Sequence, residues 1–242
     1  YTAPSGFLGP GYSAFDIEGD PSQPTVKLGG LNMAKVRFED LQSMLTQLDN
    51  LGRLANSQDS PILAQDKIGQ EAISMLTSGA MQKAMNLEEE SPALREQYGN
   101  NIYGQRVLLG RRLIEAGLSV ATFCMHDGDT HRYNFQTMRQ LLPPLDQAVS
   151  TLILDLEERG LLEDTIVMLG GEFGRTPRIG DITPDGRGHW PAAGCIWMAG
   201  GGINTGRIIG DTDSRGERST GKPIRMERVM ATLYRALGID PG

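Results

Sequence analysis

Apolar residues along the chain fall into two periods. Between residues 38 and about 55, Leu41, Leu45, Leu48 and Leu51 recur at helical spacing, with Met44 beside them. A second helical pattern runs over about 68–85, with Ile73, Leu76, Ala80 and Ala84 on one face. Ser91-Pro92 starts a third helix, Ser as N-cap and Pro at the first helical position. Residues 101–116 form a further amphipathic helix closed by Gly117, and its Arg106, Arg111 and Arg112 are expected to face water. Met138, Leu142, Leu145, Val149, Leu152 and Leu156 mark a longer helix, with Pro143-Pro144 expected to kink or restart it and Gly160 to close it. The last helix spans about 226–237 and ends at Gly238.

Between these helices lie short runs without helical period. Residues 118–125 are β-branched and apolar, and 166–169 and 194–199 are similar. The first two read as buried strands, 194–199 as a strand, and 207–210 as a short edge strand. Strands alternating with helices predict an α/β domain, a mostly parallel sheet flanked by helices, with only three or four strands visible. Residues 1 to about 36 are broken by Gly and Pro and read as turn-laden backbone anchored by Phe7, Leu8, Tyr12 and Phe15. The chain thus divides into an irregular segment plus helical cap, 1–100, and an α/β part, 101–242.

Composition narrows the classes. The net charge is −7 over 242 residues, so nucleic acid is not an expected partner. No apolar run is long enough to span a bilayer, and no leader peptide is expected from the residues at Tyr1 onward. Cys124 and Cys195 sit in apolar runs and are expected as buried free thiols. The acidic run Glu88-Glu89-Glu90 reads as solvated surface. No dinucleotide fingerprint appears, which weighs against an oxidoreductase.

The candidate chemistry lies in two loops, each after an expected strand. The chain has three His: His126 and His131 bracket Asp127 and Asp129, and His189 follows Glu172, Arg175, Arg178 and Arg187. Imidazoles and carboxylates together can hold a divalent cation; the alternative is a salt-bridge network with the arginines. Trp190 and Trp197 read as packing residues, although Trp190 beside His189 could stack on a sugar ring.

D-T-H at 129–131, L-L-P-P-L-D at 141–146, G-E-F-G-R-T-P at 171–177, G-R-G-H-W-P at 186–191 and A-L-G-I-D-P at 236–241 together carry a resemblance. The chain resembles a bacterial family of functionally uncharacterised, sulfatase-like proteins within the alkaline-phosphatase superfamily. The resemblance implies an α/β sandwich holding one or two divalent metals, zinc or calcium. It implies hydrolysis of sulfate or phosphate esters, small or on polysaccharide, and export or a cell-envelope location. By motif it makes Asp129, His131, Glu172 and His189 the metal ligands and places Arg175 and Arg187 on the anionic ester.

The nucleophile strand of such a family would lie before Tyr1, so the chain is expected to be the C-terminal part of a member. No catalytic residue is assigned, and the fragment is expected to be inactive. Two positions depart from the pattern: Gly188 stands where Asp is usual, and Gly128 where Trp is common. The ligand register therefore stays open between Asp127 and Asp129, and a non-catalytic binding or scaffold protein is the rival reading.

Overall fold

The structure is a computed structural model and describes residues 17, 18, 20, 21, 27, 28, 31, 32, 78–125 and 128–242. The helix expected over 38–55, the first part of the one over 68–85, the N-terminal anchors, His126 and Asp127 lie outside the described residues. The chain forms two compact units, Tyr1–Cys124 and Met125–Gly242.

In the first unit, β1 (Ile17–Glu18), β2 (Lys27–Leu28) and β3 (Leu31–Asn32) form a small antiparallel sheet. Helix α1 (Gly79–Met85) starts on Ser78, whose Oγ accepts from the Met81 amide. A 3-10 turn (Leu87–Glu89) leads to α2 (Pro92–Tyr98), where Ser91 caps the Leu94 amide as its sequence requires. Helix α3 (Ile102–Glu115) is capped by Asn101, whose Oδ1 accepts from the amides of Tyr103 and Gly104. Met81, Ala84, Leu87, Tyr98, Val107, Leu108 and Leu113 form the core of this unit.

Two polar groups are buried with them. Gln105 donates to the carbonyls of Gly99 and Arg95, and its Oε1 accepts from Arg95 Nε, so its amide is satisfied. Arg111 and Arg112 do not face water; both are buried, and both bond Glu90 Oε1. Arg112 also donates to the carbonyls of Ala84 and Lys83. The solvated acidic run is thereby corrected in its last member: Glu88 and Glu89 are exposed, whereas Glu90 is the counterion of two buried guanidiniums.

In the second unit, α4 (Asn134–Glu158) is one unbroken helix through Pro143 and Pro144, where a kink or restart was expected. It is followed by a 3-10 turn (Leu162–Asp164), β4 (Ile166–Gly170), β5 (Gly174–Arg175), β6 (His189–Trp190), β7 (Ile196–Gly200) and α5 (Met226–Ala236). Helices α3, α4 and α5 end alike, on Gly117, Gly160 and Gly238 in the left-handed region. In each, the amide of the residue after the glycine reaches back five residues: Leu118 to Leu113, Leu161 to Leu156, Ile239 to Tyr234.

The expected α/β architecture is not what the chain forms. Strands β4 and β7 are antiparallel, with Met168 opposite Met198, and β5 and β6 form a second antiparallel pair. Among the described residues there is no extended parallel sheet. The reason is the connection: a parallel pair needs a crossover, usually a helix, and the chain between β4 and β7 holds only the β5–β6 pair and loops. The sheet is also less covered than its apolar sequence predicts, since Met168, Leu169 and Trp197 are exposed.

Two more expected strands are irregular backbone. Among the described residues 118–125 pair with no strand, and Val120 and Phe123 are exposed; Ile208 and Ile209 are exposed as well. Cys124 and Cys195, expected as buried thiols, are free and exposed. No described helix is long and apolar enough to cross a membrane.

Candidate metal centre

The site is built in the second unit from the loop before α4 and the β5–β6 pair. In an antiparallel pair, residues directly opposite lie on one face. Arg175 is opposite His189, so both side chains project to the same side. The loop before α4 brings Asp129 and His131 to that side. Three ties hold this loop. Asn134, buried at the start of α4, donates to the carbonyl and hydroxyl of Thr130. Tyr133 adopts φ 50°, a left-handed value rare outside glycine, and its amide donates to Thr183 Oγ1. Gly186 closes a turn on the Thr183 carbonyl, within the T-P-D-G sequence expected of a tight turn.

The result is a convergence on one oxygen. Asp129 Oδ1 lies 2.6 Å from Arg175 Nη2, 2.9 Å from His189 Nε2 and 3.3 Å from His131 Nε2. The His131 and His189 rings are 4.4 Å apart, and Phe173 packs against His189 at 4.0 Å. Hydrogen bonds from His189 and then Arg175, with the charges of Arg175 and His131, hold the Asp129 carboxyl at about 2, against a smaller opposing cost of desolvation. Asp129 is therefore an anion at every ordinary pH.

One ligand atom each from Asp129, His131 and His189 falls within 4.8 Å of the others, a group that could hold a metal ion. A tetrahedral ion with bonds of about 2.1 Å separates its ligand atoms by about 3.4 Å. The His–Asp separations are close to that edge length.

The remaining expected site residues divide. Glu172 is exposed and stands outside the group. Arg175 donates to Asp129 and to the Gly128 carbonyl, while its buried Nη1 has no hydrogen-bond partner among the described residues. Arg187 is turned to the backbone: its Nε donates to the Thr176 carbonyl and its Nη2 to the Arg175 carbonyl, with the guanidinium 5.9 Å from the Phe135 ring centroid. It fixes the end of β5 and thereby Arg175. Gly188 lies where a Cβ would approach Asp181 Oδ2 to 2.5 Å, and its carbonyl accepts from the Thr176 amide. Thr183 and Phe173, which contact the loop of His131 and the ring of His189, carry no chemical signal in the sequence beyond the T-P-D-G turn that marks Thr183.

A model of the family described as "Protein of unknown function (DUF1501)" matches residues 2–242. The chain belongs to the DUF1501 family. No curated protein and no solved structure matches it. The sulfatase-like resemblance is thereby corrected: the family is one of unknown function, and no sulfatase or alkaline-phosphatase family matches. The antiparallel strands of this DUF1501 chain agree with that correction. Short motifs of Asp, Arg, Gly and His mark the chemistry of a site, and such sites recur on unrelated folds.

Proposed function

We propose that the Asp129, His131 and His189 cluster binds one divalent ion of the zinc type and that the protein hydrolyses sulfate or phosphate esters there. The observation that carries this reading is the meeting of two imidazole nitrogens and an ionised carboxylate within 4.8 Å. Mixed nitrogen and oxygen ligands suit zinc, whereas calcium takes oxygen ligands. Three protein ligands are also the number in catalytic zinc sites, where a fourth position stays open. When bound, such an ion polarises ester oxygens and makes its water more acidic.

The chain's own groups supply the rest. Arg175 sits beside the cluster with an unpartnered donor, and leaving a buried donor unmade costs about 1–3 kcal/mol. An anionic ester oxygen is the acceptor this donor would take. Arg187 keeps Arg175 in place through two backbone carbonyls. Phe173 limits the tilt of His189.

The rival is a non-catalytic binding or scaffold protein. It is favoured by one observation: Arg175 already neutralises Asp129, so the cluster is charge-balanced without an ion. The zinc-loaded protein, assayed on aryl sulfates and aryl phosphates, separates the two. Turnover that is lost with EDTA and restored by zinc supports hydrolysis; zinc bound with no turnover on any ester supports the rival.

The loop contacts give a further expected result. A Cβ on Gly186 would lie 2.7 Å from the His131 carbonyl oxygen and 2.9 Å from the Thr183 amide, both backbone atoms that cannot swing aside. Gly186→Ala is expected to displace His131 and weaken zinc binding at least tenfold by calorimetry, with the circular dichroism spectrum unchanged.

A further inference from the structure

A cleft of about 640 Å³ is lined by Thr176, Pro177, Arg178, Trp190, Arg215 and Glu217. It stands apart from the metal cluster. Successive residues of a strand point to opposite faces. His189 turns to Asp129, so Trp190, the next residue, presents its indole to the reverse side of the β5–β6 pair.

The indole is half-buried and held in orientation, since its Nε1 donates to the Glu217 carbonyl at 2.7 Å. Two cations rim the cleft. Arg215 is loosely paired with Glu217, at 4.0 Å, and 79% exposed. Arg178 is exposed and has no ion-pair partner among the described residues. A free guanidinium on a chain of net charge −7 is a local exception to the overall field. The lining also offers a hydroxyl, on Thr176, and a carboxylate, on Glu217, that can accept from ligand hydroxyls.

We propose that this cleft binds an acidic saccharide. The flat indole takes the C–H face of a sugar ring. The Arg178 and Arg215 forks take its carboxylate or sulfate group. Thr176 and Glu217 bond ring hydroxyls. A bare aromatic acid would use the indole and the arginines but leave the Glu217 carboxylate facing an anion, which disfavours it. The proposal does not depend on the metal cluster, because no ligand of that cluster lines the cleft.

The test is titration of the full chain with an oligogalacturonide hexamer, followed by tryptophan fluorescence and calorimetry. Maltohexaose serves as the neutral saccharide and benzenesulfonate as the aromatic acid. The expected result is saturable binding of the oligogalacturonide, weakened at least tenfold in Arg178→Ala and in Trp190→Ala, weakened by salt, and retained in His131→Ala. Arg178 is exposed, so its variant will fold even where Trp190→Ala does not, and Arg215→Ala gives a second such variant. No saturable binding by the wild type overturns the proposal. So does equal affinity in Arg178→Ala, Arg215→Ala and wild type, binding of maltohexaose as tight as that of the charged hexamer, or binding of benzenesulfonate without the oligogalacturonide. Loss of zinc binding in His131→Ala with the saccharide still bound separates failure of the metal reading from failure of this one.

Discussion

His189→Ala is expected to abolish stoichiometric zinc binding, lowering affinity by more than a hundredfold. Among the described residues the cluster offers three ligand groups, and none there stands as a fourth. Even partners that merely orient a ligand are worth about 10–100-fold in affinity, so losing a ligand itself should exceed that range. His189 is also the group whose hydrogen bond does most to keep Asp129 ionised. His131→Ala should act in the same direction. Glu172→Ala, by contrast, should leave affinity unchanged, because that exposed carboxylate lies outside the group. Calorimetric titration of the three variants checks the ranking. Equal affinity in His189→Ala and wild type would remove the metal site.

The second large effect lies in the other unit. Glu90→Ala is expected to destabilise the helices of Tyr1–Cys124 by about 3–5 kcal/mol, the usual cost of breaking a buried ion pair by removing one partner. Glu90 Oε1 accepts from Arg111 and Arg112, whose side chains are 0% and 8% exposed. Arg112 would keep its bonds to the Ala84 and Lys83 carbonyls, and Arg111 its pair with Glu115, so the loss is of charge balance more than of hydrogen bonds. Burial raises the Glu90 carboxyl, but the bonds and charges of the two arginines outweigh it and hold it below its usual 4.5.

The sign of the pH dependence follows. A carboxyl depressed on folding stabilises fully above its unfolded value, and that stabilisation is lost as pH falls through the folded one. The stability gap between wild type and Glu90→Gln, read by urea denaturation, should be constant above about pH 5.5 and shrink in acid below 4.5. A gap that widens on acidification would contradict this role.

These two sites were unequally legible in the sequence. Helix ends were plain because they depend on local chemistry: Ser91-Pro92, Asn101, Gly117, Gly160 and Gly238 each act within a turn of backbone. Strand direction was not plain, because an apolar run such as Ile166–Leu169 records that a segment is apolar and says nothing of its partner. The parallel sheet was inferred from the order of elements, and the β5–β6 pair, only two residues per strand, was too short to see. By residue type alone, Arg111 and Arg112 read as solvated. Their burial depends on Glu90, more than twenty residues away, which no local pattern connects to them.

At the metal cluster, the types and the two loops were visible, since all three His lie in them. Their convergence was an expectation that only the register of Arg175 opposite His189 makes concrete. The roles of the arginines were not separable by type. Arg175 meets Asp129, whereas Arg187 meets two carbonyls, and both are guanidiniums in the same loop. The fold class differs from the sequence expectation for a related reason: the motifs carry chemistry, and chemistry is not confined to one architecture.

X-ray absorption at the zinc edge of the zinc-loaded wild-type protein probes the cluster most directly. One zinc per chain, with two imidazole nitrogens and one carboxylate oxygen at about 2.0–2.2 Å, is the expected result. Zinc retained well below one equivalent, or a coordination shell without imidazole scattering, would contradict it.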